Sequence, residues 1–374
     1  MSRQASEMDS VGDAPVSTAG ADRQQQDEDR ALRPLRLVDF VGQPDVCGKL
    51  GVAVQAAKTR GEPLDHVLFS GPPGLGKTTL AAIVSSELGS RFHTTSAPAV
   101  SKPKDLAKLL TVLEAGDILF VDEIHRLSMA CEEILYPAME DGYIDFIIGE
   151  GVTAQSIKLH LKPFTLVGAT TRSGMLSSPL KARFGIDLKL EFYRSEDLAR
   201  IVARSAGLLQ LDFDDEAAFE VASRARMTPR VANRLVRRIR DYVTVENIAT
   251  VDQAFARNCL DRLGVDAMGL IELDRKILRL MIERYNGGPV GIKTLAALVD
   301  EEERTIEEDH EPFMLRSALM EKTSQGRMVT ELAYQHLGYE MSERSGNSAA
   351  KRNEKNSVTD APKKGPKGEE DLPF

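Results

Sequence analysis

Apolar residues in this chain fall into short runs separated by stretches of helical spacing. Val67-Leu68-Phe69 precedes a Gly-rich loop and reads as a buried strand. Thr78 to Leu88 then reads as a helix. Ile118-Leu119-Phe120-Val121 and Phe164-Thr165-Leu166-Val167 are further short runs that end in polar residues. Strands alternating with helices predict an α/β fold, a parallel sheet with helices on both faces. Such sheets place ligands beyond the C-terminal ends of their strands. From Ser195 to about Leu263 the spacing turns helical, with Leu198, Ile201 and Val202, then Leu235, Val236 and Ile239. From about Asp274 to Gly338 come short helices, the turn Gly287-Gly288-Pro289-Val290-Gly291 and a segment running Thr323 to Thr330. That order suits a small winged-helix domain. Residues 1–30 and 341–374 lack apolar periodicity and read as disordered tails.

Composition narrows the picture. The 374 residues suggest two or three domains, and 42% hydrophobic residues suffice for real cores. Aromatics are 5% and Trp is absent, so a binder that stacks many bases is not expected. The net charge of −9 argues against a surface coated with DNA-binding charge, although a ring can hold DNA with one small patch per subunit. Cys47, Cys131 and Cys259 are far apart, form no CxxC, and fit a reducing cytoplasm without a zinc site. The N-terminus has no apolar core and reads as no secretory signal. No apolar run approaches the roughly 20 residues that span a bilayer, so no membrane is expected.

The chemistry begins at Gly71-Pro72-Pro73-Gly74-Leu75-Gly76-Lys77-Thr78-Thr79. It fits G-x-x-x-x-G-K-[ST] between a strand and a helix, the context that motif requires. Gly71, Gly74 and Gly76 let backbone N–H groups wrap phosphates, and the helix start adds positive field. Lys77 reaches the β- and γ-phosphates of ATP, the Thr78 hydroxyl suits Mg²⁺, and Thr79 follows on the helix. Ile118 to Glu123 ends a strand with two acids. Asp122 suits Mg²⁺, through water, and Glu123 suits the general base that polarises the attacking water. A protein that only binds nucleotide does not need the second acid.

Other positions stay open on residues alone. Thr170 and Thr171 end the next strand; either orients water, or both are hydroxyls in a turn. Arg183 follows a turn and is either offered to a neighbouring subunit's γ-phosphate or forms a surface ion pair. Arg224, Arg226, Arg230, Arg234, Arg237, Arg238 and Arg240 form an acid-free cluster. Thr228-Pro229 starts a helix, which puts Arg230 near an N-terminus for a nucleotide contact; otherwise the run is a solvated face. Residues 143–161 read as two strands joined by a Gly-containing loop. Ile147 and Ile148 near its tip suggest either an exposed partner site or a buried hairpin.

Taken in order, these pieces resemble the RuvB family of AAA+ ATPases from about Leu32 to Gly338. The specific stretches are Leu32-Arg33-Pro34, Val41-Gly42-Gln43, Leu64 to Val67, the P-loop, Asp122 to Leu127, Glu133 to Asp141, Gly168 to Arg172, Ser178-Pro179-Leu180, Arg183 to Ile186, Thr228 to Leu235 and Gly287 to Gly291. The resemblance implies a large AAA+ ATPase domain at 31–193, a small helical ATPase domain at 194–264 and a winged-helix head at 265–340. It implies a homohexamer around duplex DNA that uses ATP and Mg²⁺ for branch migration of Holliday junctions in recombination, repair and the SOS response. It works with RuvA, and the RuvC resolvase is a further candidate partner. Carried over, Leu32, Arg33 and Tyr193 line the adenine pocket, and Glu140, Asp141 and Gly142 lie near the nucleotide. Thr171 is the phosphate sensor, Arg183 the arginine finger, Arg230 the second sensor, and the hairpin at Ile147 and Ile148 docks RuvA.

The head departs from the family pattern. Three usually basic positions are Glu303, Lys322 and Arg327 here, with Arg304 beside the acid. The family's T-P-R-G-R run is Thr323-Ser324-Gln325-Gly326-Arg327. Lys322, Arg327 and Arg304 are thus the DNA-binding candidates. Two other classes share the core motifs: an AAA+ clamp-loader subunit or protein remodeller, which DNA-stimulated turnover would separate, and a nucleotide-dependent assembly protein that does not cycle, against which Glu123 and Arg183 argue.

Overall fold

A computed structural model of the chain describes residues 31–148 and 155–340. The two tails and the hairpin tip at 149–154 lie outside the described residues, as do the side chains of Ile147 and Ile148. The chain forms two compact units that divide after Arg262.

The first unit opens with helix α1 (Pro44–Arg60). Strand β1 (Val67–Ser70) is buried along its whole length, as an apolar run between two covered sheet faces should be. Helix α2 (Lys77–Leu88) follows and stops where Gly89 takes a left-handed conformation and donates back to Ser85 and Ser86. Next come β2 (Phe92–Ser96), α3 (Pro103–Thr111), β3 (Ile118–Asp122) and α4 (Met129–Glu140). A hairpin of β4 (Tyr143–Ile148) and β5 (Gln155–His160) leads to β6 (Thr165–Thr170), the short helix α5 (Ser178–Ala182) and β7 (Ile186–Lys189).

Five strands make one parallel sheet in the order β2-β3-β6-β1-β7. β1 sits between β6 and β7, with Ser70 level with Thr170 and with Lys189. The polar strand ends therefore gather on one edge. Alternation along β3 sorts the core: Leu119 and Val121 join Leu106, Leu110, Leu135 and Leu180 in one buried cluster. Phe120 points to the other face and stacks on Phe92 with ring centroids 5.9 Å apart. α2 packs against β3 and β6.

A helical bundle completes this unit: α6 (Ser195–Leu208), α7 (Asp215–Ser223), α8 (Pro229–Glu246) and α9 (Gln253–Arg262), with a two-residue parallel pairing of β8 (Asp212–Phe213) and β9 (Thr250–Val251). The arginine run is not one solvated face. Arg224 is buried and donates to Glu220 at 2.7 Å and to Asp261 at 2.5 Å. Arg226 and Arg237 are buried too, and Arg238 pairs with Asp241.

The second unit holds α10 (Glu272–Tyr285), α11 (Ile292–Val299), a helical turn Glu303–Thr305, a wider π-type turn Ile306–His310 and α12 (Glu311–Arg316). The antiparallel hairpin β10 (Met320–Thr323) and β11 (Gly326–Val329) precedes α13 (Glu331–Leu337). Helices followed by a hairpin are the winged-helix order expected from the sequence. Among the described residues no helix is long and apolar enough to cross a membrane.

Candidate functional site

The P-loop runs from β1 into α2, and its shape needs glycine. Gly71 has φ +142°, and a Cβ there would lie 2.5 Å from the Leu190 carbonyl oxygen. Gly74 has φ +81°, and a Cβ there would lie 3.1 Å from the Cβ of Arg230. Arg230 N also donates to Gly74 O at 3.3 Å, so the helical bundle closes over the loop. The bundle's contribution starts cleanly: Thr228 caps α8 by accepting from Val231 N, with Pro229 at the first turn.

Phosphate chemistry converges on one cleft. Gly74, Gly76, Lys77, Thr78 and Thr79 line it with Asp122, Glu123 and Thr171 from the sheet edge and Arg230 from α8. Arg33 reaches the same space and continues into an apolar recess lined by Leu32, Leu75 and Tyr193. Tyr193 is buried, and its hydroxyl donates to Leu75 O at 3.3 Å. The recess suits a flat apolar base, the cleft a polyphosphate.

Lys77 is buried, and its ammonium donates to Gly71 O and Pro72 O, each at 2.7 Å. Burial pulls its pKa from 10.5 to about 8; Asp122 partly offsets this and Arg230 adds to it. Polyphosphate charge should raise that pKa again. The bound state then holds more protons than the free state above about pH 8, so affinity falls as pH rises through that value. ATP affinity measured between about pH 7 and about pH 10 is expected to be flat at first and then to decline. A flat profile throughout would show that Lys77 keeps its proton in the free site.

The acids and hydroxyls are sorted by strand geometry. Asp122 ends β3, and its carboxylate accepts from Glu123 N at 2.9 Å. Glu123 takes a left-handed conformation, φ +49°, which turns it off the strand into the cleft. Its carboxylate also accepts from Arg126 at 2.7 Å. The two threonines point in different directions. Thr170 Oγ1 accepts from Arg172 N at 3.0 Å and lies 3.0 Å from His125 Nδ1, inside the protein. Thr171 Oγ1 is buried at the cleft with no hydrogen-bond partner among the described residues. A buried hydroxyl left unpaired is costly, and a ligand oxygen satisfies it.

Glu140, Asp141, Gly142 and Arg183 line neither the cleft nor the recess. Most of α4, a twelve-residue helix that ends at Glu140, separates Glu123 and its turn from this group, a rise of roughly 17 Å. Arg183 donates to Glu140 at 2.9 Å instead. Glu140, Asp141 and Gly142, expected near the nucleotide, thus stand with Arg183 outside this cleft and recess. Sequence reasoning also missed Asn233 and Phe40. Asn233 lines both the cleft and the recess, while Phe40 lies in the recess. Asn233 lies inside a stretch that matched the family, but nothing in its type marked a role.

In the head, the three DNA-binding candidates all hold carboxylates. Arg304 donates to Glu308 at 2.8 Å and Lys322 to Glu311 at 2.8 Å. Arg327 binds Glu311 at 2.7 Å and Glu307 at 3.0 Å. The Lys322 side chain is 52% exposed, so it can reach a phosphate. The Arg327 side chain is 8% exposed, so it braces the wing rather than presenting a free charge. On the hairpin of the first unit, Ile157 and Leu159 of β5 are exposed while Ile144 at its base is buried. The hairpin is thus packed at its root and apolar on an outer strand.

Comparison with known proteins agrees along most of the chain. A family model described as the Holliday junction DNA helicase RuvB P-loop domain matches residues 32–190. The RuvB AAA lid domain matches residues 193–266 and the RuvB C-terminal winged helix domain residues 267–338. Among solved structures, Thermotoga maritima RuvB, described as a Holliday junction branch migration motor, is 49% identical with a TM-score of 0.77. The match covers 83% of this chain and 100% of that one. A Pro-to-Gly mutant of the same protein matches at 49% identity over 83% of this chain and 100% of that one, TM-score 0.78. With the P-loop, acidic pair, lid and winged-helix head all in place, the chain belongs to the RuvB family of AAA+ P-loop ATPases that act as Holliday junction branch-migration motors.

Proposed function

We propose that the chain works as a homohexameric ring that hydrolyses ATP to pump duplex DNA through Holliday junctions, in partnership with RuvA. The division of the catalytic parts carries this reading. Lys77, Thr171 and Glu123 converge on one cleft with Arg33 and Arg230, whereas Arg183, the arginine read as the finger, sits outside it and is free to serve another chain's site. A second copy supplies that site, and a closed ring repeats that junction.

The residues divide the work. Leu32, Arg33 and Tyr193 hold the base, while the P-loop amides and Lys77 hold the phosphates. Thr78 and Asp122 form an oxygen donor pair that fits Mg²⁺, which takes few protein ligands beside phosphate oxygens and water. Among the described residues no cluster of three His, Cys, Asp or Glu offers a metal a complete protein cage. When bound there, Mg²⁺ would neutralise phosphate charge. Glu123 orients the attacking water and takes its proton, and Thr171 binds the γ-phosphate oxygen. Arg230 reads the nucleotide state from α8 and carries it to the bundle.

Lys322 and Arg304 contribute phosphate contacts to DNA, with Arg327 fixing the wing that carries Lys322. Ile147 and Ile148 on the hairpin dock RuvA, and RuvC joins at the junction. Cytoplasmic recombination, repair and the SOS response are the setting.

The test measures ATP turnover by the full chain with duplex DNA and RuvA added singly and together, then branch migration of a synthetic junction. Turnover should rise with both, and the junction should be dissociated by branch migration into uncut duplex products in an ATP-dependent way. Turnover indifferent to DNA would favour an AAA+ remodeller of another type.

A further inference from the structure

Arg183 is held on a built platform. Its guanidinium carbon lies 4.4 Å from the centroid of the Tyr136 ring. One amino group donates to Pro179 O at 2.8 Å and the other to Glu140 at 2.9 Å. Its Nε is buried and has no acceptor among the described residues. The ring beneath is itself fixed. The Tyr136 hydroxyl donates to Glu132 Oε2 at 2.8 Å and lies 3.2 Å from Ser177 Oγ. Ser177 donates to the same Glu132 oxygen, and Glu132 is buried. Ser177 also caps α5, whose C-cap residue is Arg183.

The spacing explains the arrangement. Glu132, Tyr136 and Glu140 recur every four residues and share one face of α4. Glu132 anchors the start of α5, Tyr136 underlies the guanidinium, and Glu140 meets its edge. α4 begins just after the Asp122-Glu123 pair. One helix thus runs from this chain's water-activating end to the arginine it offers elsewhere.

We propose that Tyr136, pinned by Glu132 and Ser177, is a positioning residue that sets the orientation in which Arg183 is delivered to a neighbouring subunit's phosphate. The inference rests on reading Arg183 as the finger. Stacking on a ring face holds a planar guanidinium without occupying its N–H edge. Glu140 occupies part of that edge in the isolated chain and is exchanged for phosphate on engagement. Without the ring the same arginine would sample many rotamers, and a misplaced catalytic group loses rate steeply.

The experiment uses full-length protein, assembled and stimulated by DNA. Tyr136→Leu should lower kcat about tenfold to a hundredfold, with KM and nucleotide affinity near wild type. Tyr136→Phe keeps the ring face but loses the hydroxyl's tie to Glu132, and should fall between wild type and the Leu variant. Tyr136→Met fills the space with a flexible chain and repeats the Leu result if Leu lowers the melting temperature. Mixed with Glu123→Gln subunits, Tyr136→Leu subunits should regain turnover, because their own hydrolysis sites are intact. Arg183→Ala separates the two layers. If it turns over normally, the finger reading itself fails and takes the platform with it. If Arg183→Ala collapses while folded Tyr136→Leu and Tyr136→Met keep wild-type kcat, only the platform is overturned. A Tyr136→Leu defect confined to its own site's nucleotide affinity also overturns it.

Discussion

Glu123→Gln protein is expected to bind ATP about as tightly as wild type and to hydrolyse it roughly 10²–10⁴-fold more slowly, the usual loss when a general base is removed. The physical case starts from the backbone. Glu123 is one residue past the buried strand β3 and takes φ +49°, so its side chain leaves the sheet and enters the cleft rather than the core. Lys77, Thr78 and the loop amides, which carry nucleotide affinity, are left untouched by the change. The amide is almost the same size as the carboxylate, so packing is kept. What disappears is the negative oxygen that accepts a proton from water. The carboxylate's ion pair with Arg126 also goes, but both side chains are about a third exposed and such pairs are worth about 0–1 kcal/mol. Folding should be unchanged. Equilibrium binding of ATP and single-turnover hydrolysis, measured on the same preparation, check both halves. A variant that keeps most of its turnover would mean that another group activates the water.

Which parts of this site could be read from residues alone follows from how local each part is. The P-loop is legible because its chemistry is backbone geometry written in consecutive glycines; Gly71 and Gly74 stand where a Cβ would meet other backbone or the Arg230 stem. The acidic pair is legible for the same reason, as an apolar strand that ends in Asp122 and Glu123. Thr170 and Thr171 were not separable in sequence. They are neighbours of one residue type, and only the placement of His125 shows which hydroxyl is already spoken for. The arginine run is ambiguous in sequence because only one partner of Arg224 is local: Glu220 is four residues away, but Asp261 is 37. Arg327 is legible in sequence only as a basic residue of the hairpin; its pairing with Glu307 and Glu311, carried on the preceding helical segments, is not. Pairing across a fold leaves no periodic trace. Strand β7 escapes for a related reason: Ile186-Asp187-Leu188-Lys189 is half apolar and, among the described residues, an edge strand paired with β1.

Arg183→Ala should leave nucleotide binding at its own P-loop nearly intact while turnover collapses, by about 10³–10⁵-fold if the side chain serves as a full arginine finger. Two observations set this expectation. Arg183 lines neither part of the chain's own cleft, so its loss removes no contact to its own nucleotide. It is nevertheless held with care, stacked on Tyr136 and paired with Glu140, which an incidental surface arginine does not need. An arginine that acts across an interface makes its mutant dominant over the neighbour, not over itself. Mixing reads this out. Arg183→Ala and Glu123→Gln proteins are each nearly inactive alone, but in a mixed ring some interfaces place an intact Glu123 opposite an intact Arg183. Hydrolysis should return at those interfaces, in proportion to how often they form. The co-assembly is checked first, by capture of one tagged variant with the other. Co-assembled rings that recover no turnover, while each variant binds ATP normally, would place Arg183 in its own site or require every site to fire in turn; dilution of either mutant with wild-type subunits separates these, since a strictly sequential ring stalls on one defective subunit whereas independent interfaces lose activity in proportion. An Arg183→Ala protein that hydrolyses ATP at the wild-type rate would remove the finger assignment, and with it the reason for a ring to be the active form.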